Sequence, residues 1–259
     1  MQQDHSLKRV YIKICRYLLG KKLMKVMDGP LKGYQWTTRS SYEYILGNYE
    51  DPQTLDIFCS WLKPDTVFYD LGANIGYYSL LANRFISNGA IYSFEPSPLS
   101  RDIFKMHLAE NKKFIQHENI VILDIAVTDK KRQVSFSNNS DNLDGNTYIT
   151  GPATFNSKDV ITVNGNSIDG LVSSGYKKPT VIKIDVEGAE LDVLYGAINV
   201  LKECRPDILL ATHDYHLRGV KDKCIQFLQE LGYILHHTGS HNKHLPGLDD
   251  YIAVYKERV

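Results

Sequence analysis

The sequence predicts an α/β protein with a doubly wound, mostly parallel sheet, and three observations carry that prediction. Short runs of β-forming apolar residues alternate along the chain with segments of helical periodicity, which is the pattern of βαβ units. A glycine-bearing turn follows the apolar run at residues 67–69 and joins it to an amphipathic helix. Acidic residues follow several of the runs, at the strand ends where open α/β sheets bind their ligands.

The composition is that of one globular α/β domain with elaborations. The chain has 259 residues, of which 43% are hydrophobic and 23% charged, and its formal net charge is zero. A neutral chain whose core lacks a basic stripe with interleaved aromatic residues does not favour a nucleic-acid partner. We expect an N-terminal extension of helices and strands at residues 1–65, packed on a core domain at 66–259 that carries an insertion at about 128–166.

Apolar runs and cysteine spacing predict a cytoplasmic protein. No apolar run approaches the roughly 18 residues that a membrane span requires. The N-terminus lacks the apolar core segment of a signal peptide. The cysteines lie far apart without a C-x-x-C pair, which indicates reduced thiols rather than a disulfide or metal framework; they are Cys15, Cys59, Cys204 and Cys224.

A basic amphipathic helix is predicted within residues 6–25. Leu7, Val10, Ile14 and Leu18 recur at helical spacing among lysines and arginines. We expect this apolar stripe to dock on the protein's own domain or on a second subunit. Docking on a second subunit would make the protein a homo-oligomer. Contact with a membrane surface or with an acidic partner is the alternative.

The turn after the first core strand is the first candidate ligand site. Gly72 and Gly76 lack a Cβ atom, so the backbone there can turn sharply and a ligand can approach it closely. Asp70 stands at the carboxyl end of the strand, where ligands of open α/β sheets bind. An ordinary strand-to-helix connection is the competing interpretation of two glycines at this spacing.

An acid ends the second core strand as well. The run at residues 90–94 finishes at Glu95, and Pro96 prevents further strand pairing. Nucleotide-binding α/β folds place an acid about 20 residues beyond the glycine turn to bind both ribose hydroxyls. A carboxylate suits this task because it accepts two donors at once. The alternative is that Glu95 caps the helix that begins near Pro98.

Asp124 follows the third core strand, at residues 120–123, in a position to reach an adenine amino group. Ala126 is small enough to let a base lie flat against it. The polar segment that comes next, within 128–166, is predicted to be a β-hairpin excursion over the active site that contacts the substrate. Its flanking strands are expected at 133–137 and 160–163.

The remaining strands bring more polar residues to the same edge of the sheet. The fourth strand ends in Asp185 and contains Lys183, which needs an acidic partner if it is buried; Asp185, Glu187 and Glu190 are the candidates. His213 follows the fifth strand. The last two strands are expected to form an antiparallel closing hairpin. The fourth, the fifth and the last two strands are predicted at residues 181–184, 208–212, 233–236 and 251–255.

Three sequence words resemble the FkbM-type family of S-adenosylmethionine-dependent methyltransferases. They are DLGANIGYYS at residues 70–79, FEPSP at 94–98 and IKIDVEGAE at 182–190, and the similarity runs from about residue 42 to the end of the chain. The resemblance implies a Rossmann-like class I methyltransferase domain with a seven-stranded doubly wound sheet. It also implies methyl transfer from S-adenosylmethionine, usually to a hydroxyl oxygen.

The resemblance also implies roles for individual residues. The turn would hold the methionine end of the cofactor, Glu95 the ribose, and Asp124 with Ala126 the adenine. Pro96 and Asp185, which lie in the other two words, complete the expected cofactor-binding set. The turn residues concerned are Asp70, Gly72, Asn74 and Gly76.

Catalytic candidates stand at the ends of the fourth and fifth strands: Asp185, His213, Asp214 and His216. In one mechanism, Asp185 and Asp214, with His213 or His216, bind Mg²⁺ or Mn²⁺, which lowers the pKa of the acceptor hydroxyl. In the other, a histidine oriented by a carboxylate acts as general base without a metal. A purely structural interpretation, in which Asp185 pairs with Lys183, remains open.

The favoured function is O-methylation of a small-molecule hydroxyl on a sugar, a nucleotide sugar or a secondary metabolite. An NAD-dependent oxidoreductase on a related fold and a non-catalytic cofactor-binding protein are the alternatives. The turn lacks G-x-G-x-x-G and carries Asp70, which would repel a pyrophosphate but favour a cationic cofactor. The segments at 128–166 and before residue 42 are expected to determine which acceptor is bound.

Overall fold

The computed structural model describes residues 2–18, 20, 22–137, 160–239 and 247–258. Its strands are β1 (Leu23–Lys25), β2 (Gln35–Thr37), β3 (Val67–Leu71), β4 (Ala90–Phe94), β5 (Ile120–Leu123), β6 (Ile125–Val127), β7 (Arg132–Ser137), β8 (Val160–Asn166), β9 (Val181–Ile184), β10 (Asp207–His213), β11 (Tyr233–Gly239) and β12 (Leu248–Tyr255). Its α-helices are α1 (Gln2–Tyr17), α2 (Tyr42–Leu46), α3 (Pro52–Trp61), α4 (Tyr77–Ala82), α5 (Pro98–Glu110), α6 (Ile168–Ser173), α7 (Glu190–Tyr195), α8 (Ile198–Glu203) and α9 (Val220–Glu230).

Seven strands form the central sheet, in the order β11-β12-β10-β9-β3-β4-β5. Only β12 runs against its neighbours, so the other six strands are parallel to one another. The predicted fold class and the predicted closing hairpin of β11 and β12 are thus confirmed. The strand order reverses between β3 and β9, and this switch point is where such sheets bind ligands.

Alternating side chains bury the sheet on both faces. Phe68 of β3 packs with the N-terminal elements, α4 and α5 on one face. Its neighbours Tyr69 and Leu71 pack with α6, α7, α8 and α9 on the other face. A strand covered on both sides has no place for a charged side chain except at its ends, and this arrangement concentrates the polar residues at the carboxyl edge.

His107 of α5 fastens the N-terminal extension to the turn after β3. Its ring is fully buried and stacks on Trp36 with ring centroids 4.1 Å apart. The Thr37 N–H donates to Nε2 at 3.0 Å, so Nδ1 carries the proton and donates to the Ile75 carbonyl at 2.9 Å. Burial lowers the pKa of His107 to about 4, which keeps the ring neutral and this tautomer in place.

The N-terminal helix docks through a face other than the predicted one. In α1, Ile12 and Cys15 are buried, whereas the stripe of Leu7, Val10, Ile14 and Leu18 is exposed. The expectation that this stripe packs on the protein's own domain was therefore wrong. The helix has apolar residues on two opposite faces, and periodicity alone does not tell which of them is covered.

The segment at 128–166 begins and ends in a second, three-stranded sheet. Strand β8 pairs parallel with β6 and antiparallel with β7, so the two predicted flanking strands are present. The predicted polar tip lies at residues outside the described ranges, and its contact with a substrate remains a prediction. Among the described helices, none combines the length and the apolar character needed to cross a bilayer.

Candidate cofactor and catalytic site

The turn after β3 is pressed against the end of β9. Gly72 has φ +73°, and a Cβ atom there would lie 1.9 Å from the backbone oxygen of Asp185. The Asp185 N–H donates to the Leu71 carbonyl at 3.1 Å. Both the left-handed backbone and the close approach require glycine at position 72, so the turn and the end of β9 form one rigid wall.

Gly76 serves helix packing at the far end of the turn. It has φ +94° and precedes α4, and a Cβ atom there would lie 2.3 Å from the ring of Phe104 in α5. Any side chain would therefore push α4 and α5 apart.

Asp70 lies beneath this turn rather than on its surface. Its side chain is fully buried, Oδ2 accepts from Ser79 Oγ at 2.6 Å, and Oδ1 lies 3.6 Å from Lys183 Nζ. Lys183 also donates to the Gly72 carbonyl at 2.8 Å. Burial raises the pKa of Asp70, although Lys183 and Ser79 act in the opposite direction. We expect Asp70 to influence a ligand through the turn and through Lys183.

Lys183 has one acidic partner that the sequence predicted, Asp185, and a second that it did not, Asp70. Its Nζ lies 3.2 Å from Asp185 Oδ2 and 3.6 Å from Asp70 Oδ1, and its side chain is 6% exposed. Burial lowers the pKa of Lys183, but the carboxylates of Asp185 and Asp70 outweigh burial and raise it. Lys183 is therefore a fixed cation that holds two strand ends together, not a base.

Asn74 and Glu95 connect the turn to the end of β4. The Asn74 N–H donates to Glu95 Oε2 at 2.8 Å, and the Ser97 N–H donates to Oε1 at 2.8 Å. Asn74 has φ +48°, and its buried Oδ1 accepts no hydrogen bond from the described residues. Burial raises the pKa of Glu95 to about 7, although the two backbone N–H groups stabilise its carboxylate and lower the pKa.

The other predicted cofactor residues lie on the same edge. Pro96 is buried, and its carbonyl accepts from Arg101 at 2.7 Å. Asp124 is exposed between β5 and β6, and Ala126 is buried in β6. Adjacent strand ends thus carry the residues expected for methionine, ribose and adenine. Their roles in binding remain predictions.

The buried pair of Glu190 and His213 is the centre of the candidate catalytic cluster. His213 is the last residue of β10, and its Nδ1 lies 2.7 Å from Glu190 Oε1, which also accepts from the Gly188 N–H at 2.9 Å. Its Nε2 lies 3.4 Å from Asp185 Oδ1 and 3.7 Å from Glu187 Oε2. Burial lowers the pKa of His213, but Glu190, followed by Glu187 and Asp185, outweighs burial and raises it to about 9.

Glu187 is presented to this cluster by an unusual backbone. It has φ +55°, and Gly188 after it has φ +104°. Glu187 Oε2 lies 3.0 Å from His216 Nε2 and accepts from the Tyr215 hydroxyl at 2.8 Å. Non-glycine residues with positive φ are uncommon and concentrate at functional sites.

Asp214 has a different role from the one expected for it. Its Oδ1 accepts from the Lys221 N–H at 2.8 Å and its Oδ2 from the Gly219 N–H at 3.3 Å, so it caps the beginning of α9. The described side chains that could share one cation are Asp185, Glu187 and His213, whose candidate donor atoms lie within 4.8 Å of one another. The expected ligand set therefore changes by one residue, with Glu187 where Asp214 was anticipated.

Two further acids, Glu50 and Asp250, line a cleft beside β9, and the sequence did not predict either of them as a site residue. Glu50 is 8% exposed and accepts from the Tyr78 hydroxyl at 2.6 Å. The sequence signal for Glu50 is its position beside Tyr49 and before Pro52, which equally fits a solvated helix face. The cleft beside β9 is lined by Tyr49, Glu50, Tyr78, Lys183, Asp185 and Asp250.

This sheet order, with candidate ligand-binding groups at the carboxyl ends of β3, β4, β9 and β10, is that of the Rossmann-like methyltransferase fold. A family profile described as the Methyltransferase FkbM domain matches residues 70–235. The chain belongs to this FkbM methyltransferase family, and the resemblance seen in the sequence is confirmed.

Two relatives and one solved structure are informative. The hexuronic acid methyltransferase AglP of Haloferax volcanii is 31% identical over 141 residues, 54% of this chain and 53% of that protein. The methyltransferase sdnD of Sordaria araneosa is 23% identical over 200 residues, 66% of this chain and 75% of that protein. A crystal structure of methyltransferase FkbM from Methylobacillus flagellatus KT has a TM-score of 0.53 and 18% identity, over 74% of this chain and 44% of that chain, which shows similarity of fold. The match thus spans about half the length of AglP and less than half of the solved chain.

Proposed function

We propose that this protein is an S-adenosylmethionine-dependent O-methyltransferase that methylates a hydroxyl group of a small molecule. The observation that carries the proposal is the Glu190–His213 hydrogen bond at the end of β10, two strands away from the glycine turn after β3. A histidine oriented by a carboxylate is suited to accept a proton from an alcohol. Family membership supports methyl transfer as the reaction.

The turn and the end of β4 fit this cofactor. When bound, S-adenosylmethionine supplies a methyl group that is already activated on a cationic sulfur. The buried Asn74 Oδ1, which accepts from no described residue, is available to a donor of the ligand. Each oxygen of Glu95 accepts one backbone N–H and keeps a lone pair for a ribose hydroxyl. These acceptors favour a cationic cofactor over a pyrophosphate.

His213 is the residue that we assign to the acceptor proton. Its Nδ1–H donates to Glu190, and its Nε2 is directed toward Asp185 and Glu187. Because the pKa of His213 is raised to about 9, Nε2 becomes a proton acceptor in the deprotonated ring, and we expect turnover to rise with pH up to that range. The histidine side chain is 2% exposed and those of the two carboxylates 19% and 24%, so an acceptor meets the carboxylates first. Asp185 and Glu187 would bind and orient the hydroxyl, and the proton would pass to His213.

The acceptor that we propose is a polyhydroxylated molecule, such as a sugar, a nucleotide sugar or a secondary metabolite, whose part beside the carboxylates of the cleft is uncharged. Glu50, Asp185, Glu187 and Asp250 lie at or beside the cleft and are hydrogen-bond acceptors for hydroxyl groups. The same carboxylates would repel an acidic group placed among them. A carboxylate acceptor would also not need a proton-accepting histidine, so hydroxyl transfer uses this site better than ester formation does.

A divalent cation is the second candidate for activating the acceptor. Asp185, Glu187 and His213 could offer one donor atom each, and oxygen-rich ligation would suit Mg²⁺ or Mn²⁺. The cation would have to displace the proton that the surrounding carboxylates hold on His213, whose pKa is raised to about 9. The metal-free mechanism needs the same deprotonation, because Nε2 of His213 can accept the proton of the hydroxyl only after losing its own. Chelation therefore distinguishes the two mechanisms: retention of turnover after exhaustive chelation would support the metal-free mechanism, and loss restored by Mg²⁺ or Mn²⁺ would replace it.

Calorimetric titration with S-adenosylmethionine tests the cofactor assignment. The unmodified protein should release or absorb measurable heat, and Glu95→Ala should weaken binding by about tenfold or more, because a buried charged hydrogen-bonding group is removed. Glu118→Ala is the matched control, since Glu118 is exposed before β5. An absence of binding, together with binding of reduced nicotinamide cofactor, would favour an oxidoreductase instead.

Transfer of a labelled methyl group to a panel of neutral sugars, nucleotide sugars and uronic acids tests the reaction. We expect turnover with an acceptor whose sugar ring is uncharged, and a large loss of turnover in His213→Ala with cofactor binding retained. Cofactor binding without turnover on any acceptor would favour a non-catalytic binding protein. Residues 1–65 as an extension, 66–259 as the catalytic domain and a cytoplasmic location stay predictions from the sequence.

A further inference from the structure

The outward face of α1 carries an unusual concentration of apolar side chains. Of the twelve exposed large apolar side chains in the described residues, six lie on this helix and its last turn, with exposures between 42% and 77%. Ile12 and Cys15 occupy the opposite, buried face. The exposed group, called here the outer face of α1, consists of Leu7, Val10, Tyr11, Ile14, Tyr17 and Leu18.

The outer face stays exposed to solvent because the opposite face of α1 is attached to the rest of the protein. Arg9 pairs with Glu43 of α2 at 2.6 Å, and the buried Ile12 and Cys15 belong to the same core as Tyr44. The six apolar side chains therefore point away from the protein while the helix itself remains attached to it. Clustered apolar exposure of this kind marks an interaction site.

The segment that carries the outer face, residues 7–25, is positively charged. Residues 7–25 contain seven lysines and arginines and no acidic residue. Lys13, Lys22 and Lys25 are exposed, and Arg16 lies over the ring of Tyr17, 4.9 Å from its centroid. Basic residues beside apolar and aromatic ones are the composition of helices that lie in the interface of anionic membranes.

The same charges argue against a second copy of the chain as the occupant. A symmetric pair of α1 helices would bring the two sets of cations together, because an isologous interface places the same patch on both partners. No acidic residue between 7 and 25 is present to compensate for that repulsion. Phosphate groups of anionic lipids complement the charge, and acyl chains complement the outer face.

We propose that α1 docks the protein on an anionic lipid bilayer, with its outer face at the boundary between headgroups and acyl chains. Tyr11 and Tyr17 lie at the depth where amphipathic aromatic rings are preferred, and Lys13 and Arg16 contact lipid phosphates. This is attachment to a surface, since the helix does not span the bilayer. The proposal is independent of the reaction that the protein catalyses.

Co-sedimentation of the full chain with vesicles tests the proposal. Vesicles of three parts phosphatidylcholine to one part phosphatidylglycerol should bind the protein, and vesicles of phosphatidylcholine alone should bind it much more weakly. Ile14→Glu should reduce binding by roughly tenfold or more, because it places a charge in the outer face. Val121→Glu is the matched control, since Val121 is a 44% exposed apolar residue on β5.

Lys13→Glu gives a second, milder test that leaves the apolar surface intact. It should weaken binding to the anionic vesicles by roughly tenfold, and added salt should diminish the difference. Circular dichroism confirms that each variant is folded. Equal sedimentation with both kinds of vesicle, or no sedimentation with either, overturns the proposal. A dimer in equilibrium ultracentrifugation that Ile14→Glu dissociates overturns it in favour of a second copy.

Discussion

Replacing Glu190 by glutamine should remove most of the pH dependence that His213 gives to the stability of the fold. Glu190 makes the shortest contact of His213, at 2.7 Å, and is the main group that raises its pKa to about 9 from the ordinary 6.5. A folded-state pKa above the unfolded value means that the stabilisation is fully present below about pH 6.5 and is lost as the pH rises through about 9.

The expected size follows from those two pKa values. With about 9 in the folded and about 6.5 in the unfolded protein, His213 contributes about 2 kcal/mol to the free energy of unfolding at about pH 7.5. At about pH 9.5 that contribution is only about 0.2 kcal/mol. In Glu190→Gln the pKa of His213 should return toward its ordinary value, and this change of about 2 kcal/mol should largely disappear.

Urea unfolding at the two pH values, followed by tryptophan fluorescence, measures the difference. Thiols that ionise in the same range affect both proteins equally, so the comparison between them isolates His213. Glu187→Gln is the matched control, because Glu187 Oε2 lies 3.7 Å from Nε2 and its loss should lower the pKa less. The reasoning is refuted if the unmodified protein and Glu190→Gln lose the same stability between the two pH values.

Three further predictions test the cofactor side. Only the ionised carboxylate of Glu95 can accept from both ribose hydroxyls, and its pKa is about 7. The affinity for S-adenosylmethionine, measured by calorimetry, should therefore rise about tenfold from about pH 6 to about pH 8. A flat profile, equal to that of Glu95→Gln, would contradict this. Gly72→Ala should abolish cofactor binding, because its Cβ would lie 1.9 Å from a backbone oxygen; Gly219→Ala, at φ +80° with nothing within 4 Å, should cost only about 1 kcal/mol in chemical denaturation. Lys183→Met should lower the free energy of unfolding by about 3–5 kcal/mol, because it leaves buried carboxylates without their cation, and a loss below about 1 kcal/mol would show that the ion pairs are unimportant.

Local patterns in the sequence predict the sheet and most of its edge. Apolar runs of four or five residues define the parallel strands, and parallel strands bring their carboxyl ends to one side regardless of the details of packing. Glu95, Asp185 and His213 follow from that rule, since each stands at such an end. The partner of Lys183 follows from the cost of burying an unpaired charge.

The partner of His213 could not be chosen in the same way. Several acids occur between residues 185 and 192, and periodicity does not tell which of them faces β10. Glu190 is the fully buried one, and it begins α7, which shares a hydrophobic core with that strand. Asp214 was grouped with His213 by adjacency, but its side chain caps α9. Tertiary packing decided both outcomes.

The rigid joint between Gly72 and Asp185 has a consequence for how this protein can change over evolution or in the laboratory. Substitutions on that side of the cleft should disturb the proposed sites of the methyl donor and of the proton acceptor together, because one backbone contact supports both. Glu50 reaches the cleft from the segment that precedes α3, and Asp250 reaches it from β12. Neither residue takes part in the contact between Gly72 and Asp185. Libraries that vary those positions should therefore alter which acceptor is used while the donor pocket keeps its shape.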